Sequence, residues 1–278
     1  MENKVSITAH GEAGELSDLE RGDAAPSAFG MAAMGAFSLP GPAAPRGDAP
    51  AEPIASVPVE FAGRTLLLDP TGALYWPSRQ MLVVSDLHLE TGSSYARTGQ
   101  MLPPYDTALT LARLEEAVAR YRPQRIVSLG DTFHDPFGVE RLGEDARGRL
   151  AVLGRDAELV FVTGNHEGDS AGALGGTVVD AWGEDGIVFR HIPTEGALDA
   201  PEVAGHLHPA ARVVLRGRAL RRRCFIGCDR RLVMPAFGSY TGGLNVSDAA
   251  FSALWPQPPA PRLHLIGRSR VYSVAARA

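Results

Sequence analysis

Six of the eight histidines in this chain of 278 residues fall at or just after short apolar runs, beside Asp, Asn or Gly. "VVSDLHLE" sets Asp86 and His88 two residues apart, so an extended backbone turns both side chains to one side. "VSLGDTFHD" delivers Asp131 behind Gly130, and "VFVTGNHE" delivers Asn165 and His166 behind Gly164. "VFRHIP" offers His191, and "AGHLHP" offers His206 and His208, again two apart. An amide and an imidazole at the end of an apolar strand have no packing role. In open α/β sheets, reactive groups gather at the carboxyl ends of the strands. Singly, each fragment has a plainer reading: Asp86-x-His88 can cap a turn, and Gly130–Asp131 is a common turn pair. The signal is their combination, in order, each at a strand end.

The donor types define the chemistry. Several imidazoles, two carboxylates and one amide oxygen are too many for a single tetrahedral site. They suit two divalent cations about 3.5–4 Å apart that share a carboxylate, an arrangement that clamps a phosphoryl group and lowers the pKa of a bridging water. It also neutralises charge in the in-line transition state. Nitrogen and oxygen donors without thiolate favour Mn, Fe or Zn over Ca or Cu(I), with Mn the first expectation.

These groups need a scaffold, and the chain alternates accordingly. "VEFAGRTLLLDPTGALYWPSRQMLVVSD" reads as strands with turns at Ala62–Gly63 and Asp69–Gly72. The spacing of Leu109, Leu111, Leu114 and Val118 predicts a helix over 106–121, ended by Pro123. "RIVSLGD" is a short strand, a helical stretch follows around "RLGEDARGRLAVLG", and "AELVFVTGNHE" is a further strand. Strand–helix–strand alternation predicts a parallel sheet with crossover helices. Beyond it come "GIVFRHIP", "EVAGHLHP", "ARVVLRGRAL", "RRCFIGC", "RLVMPAF" and "RLHLIGRSRVYSVA", short strands without helices between them. They predict a second, mixed or antiparallel sheet, packed face to face with the first and with helices outside.

Composition bounds the rest. With 45% hydrophobic and 21% charged residues the chain is ordinary for a globular protein. Cys224 and Cys228 are too few for a disulfide framework or a zinc knuckle. No apolar run approaches the roughly 20 residues of a membrane span, and no signal peptide is visible, so a cytoplasmic location is expected. Residues 1–56 are rich in Ala, Gly and Pro and hold eight acidic against three basic residues, which accounts for the net charge of −5. Such composition predicts a mobile extension ahead of one domain over 57–278, although "SAFGMAAMGAF" within it could form a helical turn or dock. Arg212, Arg216, Arg218, Arg221, Arg222, Arg223, Arg230 and Arg231 lie close together against a single acid, Asp229. That stripe reads equally as a phosphate-backbone contact or as a solvated strand face.

Asp86-x-His88, Gly130–Asp131, Gly164–Asn165–His166–Glu167, His191 and Gly205–His206-x-His208 together resemble the signature of the calcineurin-like metallophosphoesterases, over residues 82–209. The resemblance implies a four-layer α-β-β-α sandwich and a dinuclear centre. By position, Asp86, His88 and His208 would bind one metal, Asn165, His191 and His206 the other, and Asp131 would bridge. His166 would stay off the metals as the acid for the leaving oxygen. The family often carries Asp three residues after the bridging one. Here that position is His134, followed by Asp135, which makes this pair a candidate for supporting the ligands or facing substrate. "SDLHLETGSSYARTGQMLPPYDTALTLARL", "GDTFHD", "GHLHPAARV" and "LVMPAFGSYTGGLNV" are similar, more narrowly, to the ligase-associated DNA-damage-response endonucleases, the bacterial PdeM group, over 60–275. This implies a DNA phosphodiesterase acting near an ATP-dependent ligase, a helicase and an exonuclease-like partner. Two other readings stay open: a phosphoesterase for a nucleotide or other small ester, and a scaffold that holds metals without turnover.

Overall fold

The computed structural model describes residues 7–8, 18–19, 55–168, 170–255 and 258–275. A two-residue strand, β1 (Ile7–Thr8), belongs to the second of two sheets. The first sheet runs in sequence order through β2 (Val57–Phe61), β3 (Arg64–Leu68), β4 (Leu74–Trp76), β5 (Met81–Val84), β6 (Arg125–Leu129), β7 (Glu158–Val162) and β8 (Thr177–Val179). Its first half is antiparallel, and β5 to β8 are parallel. The two-residue turn at Ala62–Gly63 has positive φ at both positions, the backbone that matches the twist of a tight hairpin. β6 and β7 are nearly continuous apolar runs because both their faces are covered.

The second sheet orders its strands β1, β12 (Ala210–Leu215), β13 (Arg218–Gly227), β14 (Arg231–Val233), β11 (Glu202–Ala204), β10 (Ile187–Arg190) and β9 (Ala181–Glu184). β15 (Arg262–Ile266) pairs with β13, and β16 (Val271–Ala275) pairs with β15. β10, β11 and β14 are parallel neighbours and most of the rest is antiparallel, so the second sheet is mixed as expected, and the antiparallel run β2 to β5 makes the first sheet mixed as well.

Three apolar layers separate the elements. Between the sheets lie Trp76, Val83, Val127, Leu129, Phe189 and Phe225, with others like them. The outer face of the first sheet packs on α2 (Asp106–Tyr121) and α4 (Glu144–Asp156) through Leu111, Leu114, Leu150 and Leu153. Each such fully buried Leu contributes roughly 1.5–3 kcal/mol. α2 buries Thr110, Leu111, Leu114 and Ala117, which leaves Leu109 facing solvent at 52% exposure, contrary to its expected place on the inner face. Its neighbours define the stripe, and Leu109 lies to one side of it. The outer face of the second sheet is covered more thinly, by α5 (Ala249–Ser252), Leu254 and Leu19.

Leu19 and Asp18 belong to the amino-terminal extension. Asp18 is buried and accepts the Ser269 N–H at 3.0 Å and the Ser269 hydroxyl at 2.9 Å. The Leu19 carbonyl accepts the Arg222 guanidinium, and β1 pairs in parallel with Val213 and Val214. The "SAFGMAAMGAF" stretch and the remaining residues up to 54 lie outside the described residues. No helix among the described residues is long and apolar enough to cross a membrane.

Candidate metal centre

Each expected ligand emerges from the carboxyl end of a parallel strand. β5 delivers Asp86 and His88, β6 delivers Asp131, β7 delivers Asn165 and His166, β10 delivers His191, and β11 delivers His206 and His208. β5, β6 and β7 are neighbours in one sheet, and β10 and β11 in the other, so packing the sheets face to face brings the five loops together.

The two-apart pairs converge, although by a different route from extended alternation. Asp86 and His88 have φ of 53° and 44°, and His206 and His208 have 70° and 45°. Their strands have already ended, and left-handed turns aim the side chains inward. Asp131 is left-handed too, at 48°. Asp and His tolerate this region better than most residues, yet each instance stores strain on the order of 1–3 kcal/mol. Neighbouring strands hold these loops: the Asp86 N–H bonds to the Gly130 carbonyl at 3.2 Å, and the His88 N–H to the Asp131 carbonyl at 2.9 Å. Glycine is required where the loops touch. A Cβ at Gly130 would stand 2.5 Å from His191 Nδ1, and one at Gly205 would stand 2.6 Å from Asp86 Oδ2.

Among the described residues, three groups could each hold a metal ion: Asp86, His88 and His208; His88, Asp131 and His166; Asp131, His191 and His206. Asp86 Oδ1 lies 3.1 Å from His208 Nε2, and His88 Nε2 lies 3.4 Å from the same nitrogen. On the other side, His191 Nε2 is 2.8 Å from Asn165 Oδ1, 3.2 Å from His206 Nδ1 and 3.3 Å from Asp131 Oδ2. Asp131 Oδ2 is also 3.8 Å from both His88 Nε2 and His166 Nε2, so this one oxygen stands between the two sets. Asp86 Oδ1 is buried without an aligned hydrogen bond, and imidazole nitrogens face one another across both sets. Imidazole nitrogens, carboxylate oxygens and an amide oxygen packed this closely fit divalent cations.

Electrostatics hold both acids of that donor set in the ionised form a metal ligand needs. Burial alone would raise the Asp86 carboxyl, but His208, with His191 and His88, carries it down to about 2. Asp131 is lowered as well, because His191 outweighs its burial. Burial pushes His88 down to about 4 and also lowers His206 and His134, while Asp131 and Asp86 raise His191 and His208 despite burial. His191 Nδ1 donates to the Leu129 carbonyl at 2.8 Å, which fixes the ring with Nε2 toward the cluster.

His166 belongs to the cluster but is 41% exposed at its side chain. Its Nδ1 donates to the His134 carbonyl at 3.0 Å, which turns Nε2 toward Asp131, and its N–H bonds to Asp131 Oδ1 at 3.0 Å. The His134 ring sits 5.6 Å from His88 and 5.8 Å from His166, so it flanks the cluster. Asp135 turns away and takes two hydrogen bonds from Arg141, at 3.0 and 2.7 Å. Glu167 received no role from the sequence, although a carboxylate directly after Asn–His was the available signal. It is buried, accepts the Phe133 N–H, and is pushed up to about 7 by burial, thereby tying the loop after β7 to the loop after β6.

The arginine stripe divides between two faces. Arg212 pairs directly opposite Arg221, and alternation puts Arg223 on the same side. Arg221 donates to the Gly243 carbonyl, and a Cβ at Gly243 would meet the His208 carbonyl, so this face adjoins the cluster. Arg222 lies on the opposite face against Leu19, and Arg216 and Arg218 are exposed at the hairpin end. Arg231 leaves the stripe altogether: it is 2% exposed and pairs with Glu202 at 2.8 Å.

Two solved structures are similar to this chain to different degrees. The "Pseudomonas putida nuclease MPE" crystal structure is similar at 32% identity and a TM-score of 0.60, over 79% of this chain and all of that one. A phosphoesterase from E. coli, Yfce, is similar at 16% identity and a TM-score of 0.36, over 71% of this chain and 99% of that one. No curated protein matches. The model of the calcineurin-like phosphoesterases matches residues 80–219, the half of the chain that carries every residue of the cluster. The chain therefore belongs to the calcineurin-like phosphoesterase family of metal-dependent hydrolases.

Proposed function

We propose that this protein is a phosphodiesterase that cuts nucleic acid with two divalent cations, Mn first among them. The observation that carries the reading is the convergence of Asp86, His88, His208, Asn165, His191 and His206 around Asp131 Oδ2, with His166 Nε2 3.8 Å away. Asp86, His88 and His208 would hold one cation, Asn165, His191 and His206 the other, and Asp131 both. Bound there, the pair supplies a nucleophilic water near neutral pH and neutralises charge on the phosphoryl oxygens. The chain's own contribution is orientation and a proton. With Nδ1 bonded to the His134 carbonyl, a second proton on His166 sits at Nε2, aimed at the departing oxygen.

A polyanionic substrate is favoured by the arginine face beside His208. Like charges directly opposite on paired strands destabilise a sheet, and Arg212 opposite Arg221 is such a pair. A phosphate backbone lying across it removes that repulsion. The similarity to a nuclease points the same way, and the likeness to ligase-associated endonucleases extends the reading to DNA repair beside a ligase, a helicase and an exonuclease-like partner.

The test uses His166→Ala loaded with Mn, which should bind DNA without cutting it. Log affinity should fall linearly with log salt, with a slope of about −0.7 per single-strand phosphate contact. A flat response would remove nucleic acid as substrate.

A further inference from the structure

Next to the cluster lies a surface that hydrolysis itself does not use. Tyr95, on α1 (Thr91–Arg97), is 36% exposed, and Phe137 is 52% exposed. Single exposed aromatics are ordinary. Tyr95 differs because it continues the imidazole cluster outward, and Phe137 follows three residues after His134 and meets Arg97 of the same helix as Tyr95. The Tyr95 ring stands 5.5 Å from the His134 ring at 35°, and His134 in turn stands 5.6 Å from His88 and 5.8 Å from His166. Arg97, two residues beyond Tyr95, puts its guanidinium carbon 5.3 Å from the centre of the Phe137 ring.

The elements that carry these rings are clamped together. Asp135 accepts both Arg141 nitrogens and, at 2.9 Å, the Phe137 N–H. Arg141 Nε reaches back to the Ser93 hydroxyl at 2.9 Å, and Ser94 also bonds to Asp135. α1 is therefore tied to the segment 134–141, whose last four residues form α3 (Gly138–Arg141). Rings held in this way lose little conformational freedom when a ligand stacks on them, which makes them effective contacts.

A phosphodiester with its phosphorus at the cluster carries a nucleoside on either side, within reach of a ring adjacent to His134. Nucleobases stack on aromatic faces regardless of sequence, and an arginine against one such ring, as Arg97 is against Phe137, adds a cation–π and phosphate contact. Paired bases have both faces occupied by their neighbours, so the occupant is an unpaired base. The two other candidates are weaker. The apolar cavity under α2 and α4 has one polar residue in its lining, Ser128, whose hydroxyl is already bonded to the Thr132 hydroxyl. The docked Asp18–Leu19 segment meets the hairpin on the face opposite Arg212 and Arg221.

We propose that Tyr95, His134 and the Arg97–Phe137 pair form a stacking platform for the unpaired nucleobases flanking the scissile phosphate. This rests on the phosphodiesterase reading above and assigns it a specificity surface. The test compares two chains of equal length and charge cut by the Mn-loaded full-length protein: oligothymidylate, and an abasic deoxyribose phosphodiester. The KM for the base-bearing chain should be about tenfold lower, in line with stacking measured by alanine substitution. Tyr95→Ala and Phe137→Ala should bring the KM ratio close to one, and Tyr95→Phe should preserve it; metal content checks that each variant is folded. Equal KM values for both chains in the unaltered protein, or an intact ratio in both alanine variants, would overturn the platform. Turnover of an aryl phosphodiester with neither chain cut would instead overturn the nucleic-acid reading, and the platform with it.

Discussion

Gly130→Ala separates two ways in which a glycine can matter. At φ 76° the substitution brings a left-handed alanine, at a cost of about 1–2 kcal/mol. The added Cβ would also lie 2.5 Å from His191 Nδ1, 2.6 Å from Cγ and 2.8 Å from Cβ, where relaxed contacts need about 3.5 Å. The imidazole must retreat by roughly 1 Å, and overpacking of that kind adds typically 1–3 kcal/mol. The retreat breaks the 2.8 Å bond from Nδ1 to the Leu129 carbonyl and takes Nε2 away from Asn165 and Asp131. A 1 Å misplacement costs on the order of 10²-fold in rate. Two controls divide the terms. Gly63→Ala, with φ 70° and nothing within 4 Å, carries backbone strain alone. Gly148→Ala, inside α4 with nothing within 4 Å and no positive φ, should stabilise by about 1 kcal/mol. Urea unfolding, elemental analysis and turnover of an aryl phosphodiester read all three. Gly130→Ala should lose stability, about half its bound metal or more, and roughly 10²-fold in kcat, whereas Gly63→Ala should lose only stability. If Gly130→Ala holds its metals and turns over like Gly63→Ala, close packing at that glycine does not set the ligand position.

The roles of Asp131 and His166 divide by metal content: Asp131→Ala should lose bound metal, whereas His166→Ala should keep it and lose about 10²–10⁴-fold in kcat. Equal metal loss in both would make His166 a ligand. His264 is buried in β15, and burial pushes it down to about 4, with Arg262 adding to the effect. Between that value and 6.5 the unfolded chain binds a proton that the folded chain refuses, so stability is full above 6.5 and falls as pH drops. From pH 7 to pH 5 this removes roughly 2 kcal/mol; His264→Gln should lose that much less in urea unfolding, and parallel losses in both proteins would exclude the effect.

The core strands and the side chains that cluster at their ends were legible in the sequence for one reason. An apolar run that ends in Gly–Asp or Gly–Asn–His has no packing use for its last side chains, so strand and site announce each other. α1 was not legible. "TGSSYAR" contains Gly and two Ser, poor helix formers, and no side chain caps its start. Tertiary bonds make it helical instead: Asp106 accepts the Gly92 N–H at 3.2 Å, and Arg141 holds Ser93. The arginine stripe was legible as a count and not as a surface. Strand pairing assigns Arg222 and Arg221 to opposite faces, and Glu202, distant in sequence, buries Arg231.

Left-handed backbone at Asp86, His88, Asp131, His206 and His208 marks the limit of local reasoning most sharply. An extended chain turns every second side chain to one face, and that rule predicted pairs that do converge, for a reason the fold does not use. Each loop would relax to ordinary φ if left alone, since nothing in "DLH" or "HLH" demands otherwise. Contacts between loops enforce it. The His206 N–H bonds to Asp86 Oδ2 at 3.0 Å, the His166 N–H to Asp131 Oδ1 at 3.0 Å, and the Gly205 N–H to the His191 carbonyl at 3.0 Å. Each of the two acids thus spends one oxygen on another loop's backbone and keeps the other for the cluster. The geometry of the cluster is a property of the two sheets meeting, and a peptide spanning any one of the five segments would not reproduce it.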